Sequence, residues 1–350
     1  MKSREDRISL EALLKRSWPA LLFGVLFCVG LSLLIFQFAT HGTFRVTDET
    51  AAVSAEEHVD ATRRLLDGVP VEEEDVNRRV MSVMIDNTPD AYPLAGPAHA
   101  RLVIEAPVEG GITRLLVMLD AASELAHIGP VRSARPYFVE WASAIEAVYA
   151  HVGGSPDGLQ LIREIENFRN LDEFSNPYRF ERDAGRFAPH NVFTSMEELS
   201  YFADLVEWET SVFTPWAYSE EVESGDVMSV NIPYGGPFSV GWEYDAETKE
   251  YLRRQGGRIQ KDEDGTEVRV QNVVVLLTSA TVLDDVGRLN MRTKGEGAVA
   301  VFRDGRQIAG TWSREAGEWI RFEDMEGNAI PLAPGKTWIS VVTSKSMFPE

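Results

Sequence analysis

Between Val80 and Asn191 the polar residues fall at the ends of apolar runs and in glycine or proline turns. They are Asp86-Asn87, Glu105, Glu109-Gly110-Gly111-Ile112-Thr113-Arg114, Gly129-Pro130-Val131-Arg132-Ser133-Ala134-Arg135-Pro136, His151-Val152-Gly153-Gly154-Ser155-Pro156 and Arg186-Phe187-Ala188-Pro189-His190-Asn191. Arg114, Arg132 and Arg135 put three guanidinium groups into two neighbouring motifs, and the planar guanidinium fork suits bidentate contact with phosphate or carboxylate. A Gly153-Gly154-Ser155 turn at a helix start would add backbone N–H groups and the positive end of a helix dipole. Ser133, His151, His190 and Asn191 complete the candidate ligand-binding set. Asp86 and Glu105 are the candidate catalytic groups, as acid, base or metal ligand. The competing reading pairs Arg114 and Arg132 with Glu105, Glu109 and Asp86 in an internal salt-bridge network, the usual fate of buried charge.

Other chemistries find less support. His151 and His190 lack an H-x-x-x-H spacing, so they read as hydrogen-bonded structural histidines, and no metal or cofactor is assigned. Ser155 lacks the second glycine of G-x-S-x-G, and Pro156 offers no N–H to an oxyanion hole, so Ser155 reads as a helix cap. Trp242, Trp312, Trp319 and Trp338 could stack on sugars, but core or hairpin packing is expected for at least three of them. The formal net charge of −21 repels phosphate backbones, which excludes nucleic acid as a partner. An anionic ligand must therefore be caught by a local arginine cluster.

These groups need elements to hold them. Val80–Ile85, Arg101–Ala106, Ile112–Leu119 and Val148–Val152 read as strands, and Arg135–Ala147 has helical spacing. Ser155 as N-cap and Pro156 as first helical residue open a helix through Phe168, and Ser195 with Glu198 opens another through Val206. From Val227 the pattern turns to strands: Met228–Ile232, Phe238–Tyr244, Tyr251–Arg254, Asn272–Val282, Val299–Phe302, Ile308–Trp312, Glu318–Phe322 and Trp338–Val342. Asp304-Gly305 is a hairpin turn signal. The expected fold is α+β, a mixed α/β domain over 80–206 and a mainly β domain over 227–350, joined by a linker over 207–226.

Trp18 to Ala39 carries no charged side chain. At about 1.5 Å per residue it covers roughly 33 Å, enough to span a bilayer core. Lys2, Arg4, Arg7, Lys15 and Arg16 precede it. The positive-inside rule therefore places 1–17 in the cytoplasm, 18–39 as one transmembrane helix, 40–79 as a stalk, and the body outside. Cys28 is the only cysteine and sits within the span, so the body has no disulfides.

Taken together, Met84-Ile85-Asp86-Asn87, Glu105 through Arg114, Ile128 through Pro136, His151 through Ser155 and Ala188-Pro189-His190-Asn191 resemble the YerB-like family of bacterial membrane-associated proteins. Asn272-Val273-Val274-Val275, Gly310-Thr311-Trp312-Ser313 and Pro334-Gly335-Lys336-Thr337-Trp338 resemble that family's C-terminal domain. The resemblance covers roughly Val80 to Val342 and implies a family of unknown function. Its members often carry a lipobox, from which this sequence departs by having a transmembrane anchor. The expectation is a single-pass envelope protein that binds a phosphorylated or acidic glycan or lipid through its arginines. The alternatives are a non-enzymatic scaffold that docks envelope proteins, or a metal-dependent hydrolase using His151 and His190.

Overall fold

The computed structural model describes residues 62–220 and 224–349. The apolar run 18–39, Cys28 and most of the stalk lie outside those residues. Among the described residues, no helix is long and apolar enough to cross a membrane.

The first half supplies β1 (Val80–Asp86), β2 (Leu102–Pro107), β3 (Thr113–Asp120), α1 (Pro136–Ala144), β4 (Val148–His151), α2 (Pro156–Glu164) and β5 (Asn170–Asp172). The short pair β6 (Glu181–Arg182) and β7 (Val192–Phe193) and the helix α3 (Met196–Leu205) follow. The second half supplies β8 (Ser229–Ile232), β9 (Val240–Asp245), β10 (Glu250–Gln255), β11 (Arg258–Ile259), β12 (Arg269–Val270) and β13 (Asn272–Leu277). It continues with β14 (Ala280–Val282), β15 (Leu289–Met291), β16 (Gly295–Arg303), β17 (Arg306–Arg314), β18 (Arg321–Asp324) and β19 (Thr337–Val342). The fold is mixed α and β, with a mainly β second half.

Ten strands from both halves form one sheet in the order β18-β17-β16-β13-β19-β2-β3-β1-β4-β5. The halves meet where β19 pairs with β2 in parallel, Thr337 opposite Leu102 and Ser340 opposite Glu105. Every residue of β1, β3 and β19 is buried. Strands covered on both faces read as continuous apolar runs, which is why these three stand out in the sequence. Alternation then divides their side chains between two cores. Met84, Leu116 and Met118 face Tyr137, Phe138 and Trp141 of α1 and Ile162 of α2. Val83, Val117 and Val275 face Leu199 and Phe202 of α3 and the inner side of a second sheet. That sheet runs β11-β10-β9-β8, with β12 also on β10. Its strands alternate buried and open residues, the pattern of a sheet covered on one face.

Local chemistry sets the joints. Ser155 Oγ accepts from the Gly158 N–H at 3.1 Å, with Pro156 opening α2. Ser195 Oγ accepts from the Glu198 N–H at 3.2 Å, while the Glu198 carboxylate turns to Arg179 instead of closing a capping box. Both residues between β16 and β17, Asp304 and Gly305, have positive φ, as a two-residue hairpin turn requires. The apolar run from Asn272 to Val282 is two strands rather than one. Thr278 breaks it, with its N–H on Val342 O and its hydroxyl on Arg292 O. Helix α2 ends at Glu164, short of Phe168, because Ile165 is extended and Asn167 has φ 55°. All four tryptophans of the second half are core residues, none more than 4% exposed.

Residues 62–79 pack on the body. Arg64 pairs with Asp67 at 2.8 Å and with Asp120 at 2.6 Å, both carboxylates buried. The chain thus enters at the edge where β1 starts and β3 ends. Elsewhere the turn between β11 and β12 docks on the first half. Glu263 N–H donates to Leu94 O, and Asp262 Oδ2 accepts from the Gly96 and Ala98 N–H groups at 2.8 and 3.0 Å. The other oxygen of Asp262 is buried without a hydrogen bond, and burial pushes this carboxyl up to about 7.

Candidate functional site

β1, β2 and β4 run parallel and finish at one edge, where β3 begins. Arg114 stands between Asp86 on one side and Ala106 on the other. Such carboxyl edges are where open α/β sheets assemble sites. Residues 130–134 are fastened across this edge by backbone bonds on three sides. Arg132 N–H donates to Met84 O (2.8 Å), Val131 N–H to Val192 O (2.6 Å) and Ala134 N–H to Gly153 O (2.9 Å). Arg132 and Arg135 are therefore held against the strand ends by a rigid main chain.

Asp86 is 2% exposed and fully engaged. Its Oδ1 accepts from the Thr88 N–H and hydroxyl, both at 2.9 Å. Its Oδ2 lies 3.0 Å from Arg132 Nε and 2.8 Å from His190 Nδ1. Burial pushes the Asp86 carboxyl up, but Arg132, the Thr88 amide, Arg114 and His190 outweigh it and hold it below the usual carboxylate range. Arg132 also donates to Pro189 O at 3.0 Å. Arg135 makes a bidentate pair with Glu109, at 2.6 and 2.8 Å.

Arg114 differs from both. It is buried and donates to Ser133 O at 2.8 Å, yet among the described residues no carboxylate lies in ion-pair contact with it. Burial, then the like charges of Arg135 and Arg132, draw its guanidinium down to about 10. Tyr149, on the same face of the sheet, is fully buried, and among the described residues its hydroxyl meets no partner at hydrogen-bond geometry. Burial raises that phenol far above its ordinary range, against the pull of Arg114 and Arg135. The cluster thus holds three guanidiniums against two contacting carboxylates.

The glycine turn is committed internally. Gly153 N–H donates to Asp172 Oδ1 at 2.8 Å, Ser155 N–H to Ala134 O at 3.1 Å, and Ser155 Oγ caps α2. The anion cradle expected at Gly153, Gly154 and Ser155 is therefore largely occupied by the protein's own acceptors. Gly153 has φ +55°, and a Cβ there would stand 2.6 Å from the Phe174 ring. His151 is fully buried with both ring nitrogens engaged, Nδ1 on Gly153 O (2.7 Å) and Nε2 on Asn170 Oδ1 (2.6 Å). Asn191 meets Arg182 at 3.5 Å, beside His190 in sequence but directed elsewhere. Ser133 takes part through its carbonyl.

Glu105 is not brought to Asp86. It faces the second sheet, where Oε1 accepts from Asn87 (3.0 Å) and Thr113 (2.9 Å), and Oε2 from Arg253 (2.7 Å) and Trp338 (3.0 Å). Arg253, overlooked in the sequence, was marked by its strand. Tyr251, Arg253 and Gln255 share the buried side of β10, so period two points a charge inward. Tyr149 carried no comparable signal, because a tyrosine in an apolar run reads as core. Among the described residues, no three His, Cys, Asp or Glu side chains are grouped to hold a metal ion.

Fold and edge together define a mixed-sheet protein with an under-neutralised arginine cluster at its carboxyl edge. Residues 66–208 match the N-terminal domain, and residues 230–339 the C-terminal domain, of the protein family of unknown function DUF3048. The chain is 30% identical over 285 residues to "Putative lipoprotein YerB" of Bacillus subtilis strain 168, covering 79% of this chain and 85% of the relative. The crystal structure of YerB from Bacillus subtilis is similar to it with a TM-score of 0.74 at 29% identity, over 81% of this chain and 98% of that one. The chain belongs to this family.

Proposed function

We propose that the protein is tethered to the cell membrane and binds an anionic envelope glycan or lipid, phosphorylated or acidic, at the arginine edge outside the cytoplasm. One observation carries the reading. Among the described residues, Arg114 is a buried cation with no contacting carboxylate, flanked by Arg132 and Arg135 and near a Tyr149 hydroxyl that has no partner at hydrogen-bond geometry. An unpaired buried cation is costly, and a ligand oxyanion in contact would offset that cost. Pyrophosphate titrated into the full chain in detergent should raise its melting temperature, by mass action on the native state. Arg114→Met should remove that response without lowering the melting temperature of the free protein. An unchanged response in Arg114→Met would sink the reading.

The tether is proposed from the apolar run 18–39. The named relative is called a lipoprotein, but Cys28 here follows Val25-Leu26-Phe27 rather than a small residue. Cys28→Ser should leave the protein in the membrane fraction, and its release would make the anchor a lipid. A second reading, a scaffold for envelope proteins, is favoured by Phe174, Tyr178 and Phe187, which are 73%, 90% and 91% exposed on the stretch leading to His190.

A further inference from the structure

We propose that His190 is the acid–base group for hydrolysis of a phosphate ester held at the arginine edge, an activity that rests on the anion reading above. The geometry of the ring carries it. Asp86 Oδ2 accepts a hydrogen bond from Nδ1–H at 2.8 Å, and Oδ1 is pinned by two bonds from Thr88, so the carboxylate cannot turn away. A carboxylate on Nδ1 fixes the tautomer and leaves the lone pair on Nε2. No described residue bonds Nε2, and the side chain is 19% exposed.

His151 supplies the internal contrast. That ring is sealed and bonded at both nitrogens, which is what a structural histidine does. His190 is bonded at one and open at the other, the arrangement of a base awaiting a substrate. Its neighbour is suited to bring one. Arg132 Nε shares the same Asp86 oxygen at 3.0 Å, and Arg132 Nη1 holds the carbonyl of Pro189, the residue before His190. A phosphate gripped by Arg132 is thereby set beside the imidazole.

In the step itself, Nε2 takes a proton from water as the water oxygen bonds to phosphorus. The bond from phosphorus to the ester oxygen breaks, and that oxygen leaves with the proton returned from the imidazolium. One water is consumed, and an alcohol and a phosphate are released. Arg132 and Arg114 offset the charge on the non-bridging oxygens.

The test uses the full chain in detergent with p-nitrophenyl phosphate and bis(p-nitrophenyl) phosphate, following nitrophenol release, and with pyrophosphate in parallel thermal shifts. His190→Gln should lower release about 10²–10⁴-fold, the span of general acid–base catalysis, and keep the pyrophosphate shift. Imidazole should restore release to His190→Gly. If wild type binds pyrophosphate but releases nitrophenol from neither ester, the hydrolysis is overturned and the binding reading stands. Release by His190→Gln at the wild-type rate overturns it equally. If wild type neither binds nor turns over, both fail together.

Discussion

Two carboxylate–arginine clusters occupy opposite faces of one sheet, and they are finished differently. Behind the sheet, Glu105 and Arg253 are both 0% exposed, and each Glu105 oxygen accepts two hydrogen bonds. Arg253 also lies over the Trp338 ring, 4.4 Å from its centroid. At the carboxyl edge, Asp86 and Glu109 answer only two of three arginines. Among the described residues, one guanidinium has no contacting carboxylate, and one phenol and one imidazole nitrogen have no hydrogen-bond partner. The residue types are the same, so composition does not separate the two. What separates them is charge balance: Glu105 answers Arg253 one to one, although Arg253 Nε stays buried without a hydrogen bond, whereas two carboxylates stand against three arginines at the edge.

That contrast can be broken most sharply at Glu105. Glu105→Ala strands Arg253 in the core and should cost about 3–5 kcal/mol in urea unfolding, whereas Glu105→Leu with Arg253→Met should recover most of the loss. A cost below about 1 kcal/mol would erase the distinction between the clusters. Asp262 is the next lever, a buried carboxylate with one oxygen unsatisfied. Its folded pKa is raised to about 7 from an ordinary 3.8, so the native state prefers the protonated form. Both states are protonated below the unfolded value, and native stability falls as pH rises from there through about 7. Asp262→Asn should therefore match wild type near pH 3 and exceed it at pH 8, by roughly 1–4 kcal/mol.

Asp86 has the opposite sign. Its folded pKa is depressed, so it contributes stability above the unfolded value, lost as pH falls through the folded one. Asp86→Asn should cost about 1–2 kcal/mol at pH 6 and nothing once pH drops below both values, as read from unfolding midpoints. Ser155→Ala is the smallest change, about 1 kcal/mol for a lost N-cap, with the pyrophosphate shift intact. A diminished shift would return the glycine turn to the ligand.

Much of this was visible in the sequence where the physics is local. Ser155-Pro156, Ser195 and Asp304-Gly305 act on their own neighbours, so each marks its joint without tertiary help. Strands buried on both faces announce themselves as apolar runs. The pairing of β19 with β2 did not, because Thr337 and Leu102 meet across most of the chain and either strand would suit many partners. The same holds for the site. The motifs brought Arg114, Arg132, Arg135, Asp86 and His190 to one edge, but which carboxylate answers which arginine depends on side-chain direction. Asp86 and Glu105 lie near the ends of β1 and β2, on either side of β3 and one residue out of register, and the pleat sends them to opposite faces.

The ion pairs of Arg64 with Asp67 and Asp120 sit at the end of β3 away from Arg114, so the sheet also fixes a span. β3 carries Arg114 near one edge and Asp120 at the other, and the six steps between them at about 3.3 Å each span roughly 20 Å. That distance belongs to a hydrogen-bonded slab. Any group held at Arg64 is therefore kept apart from Arg114 by paired strands, at a spacing that only a change in β3 itself would alter.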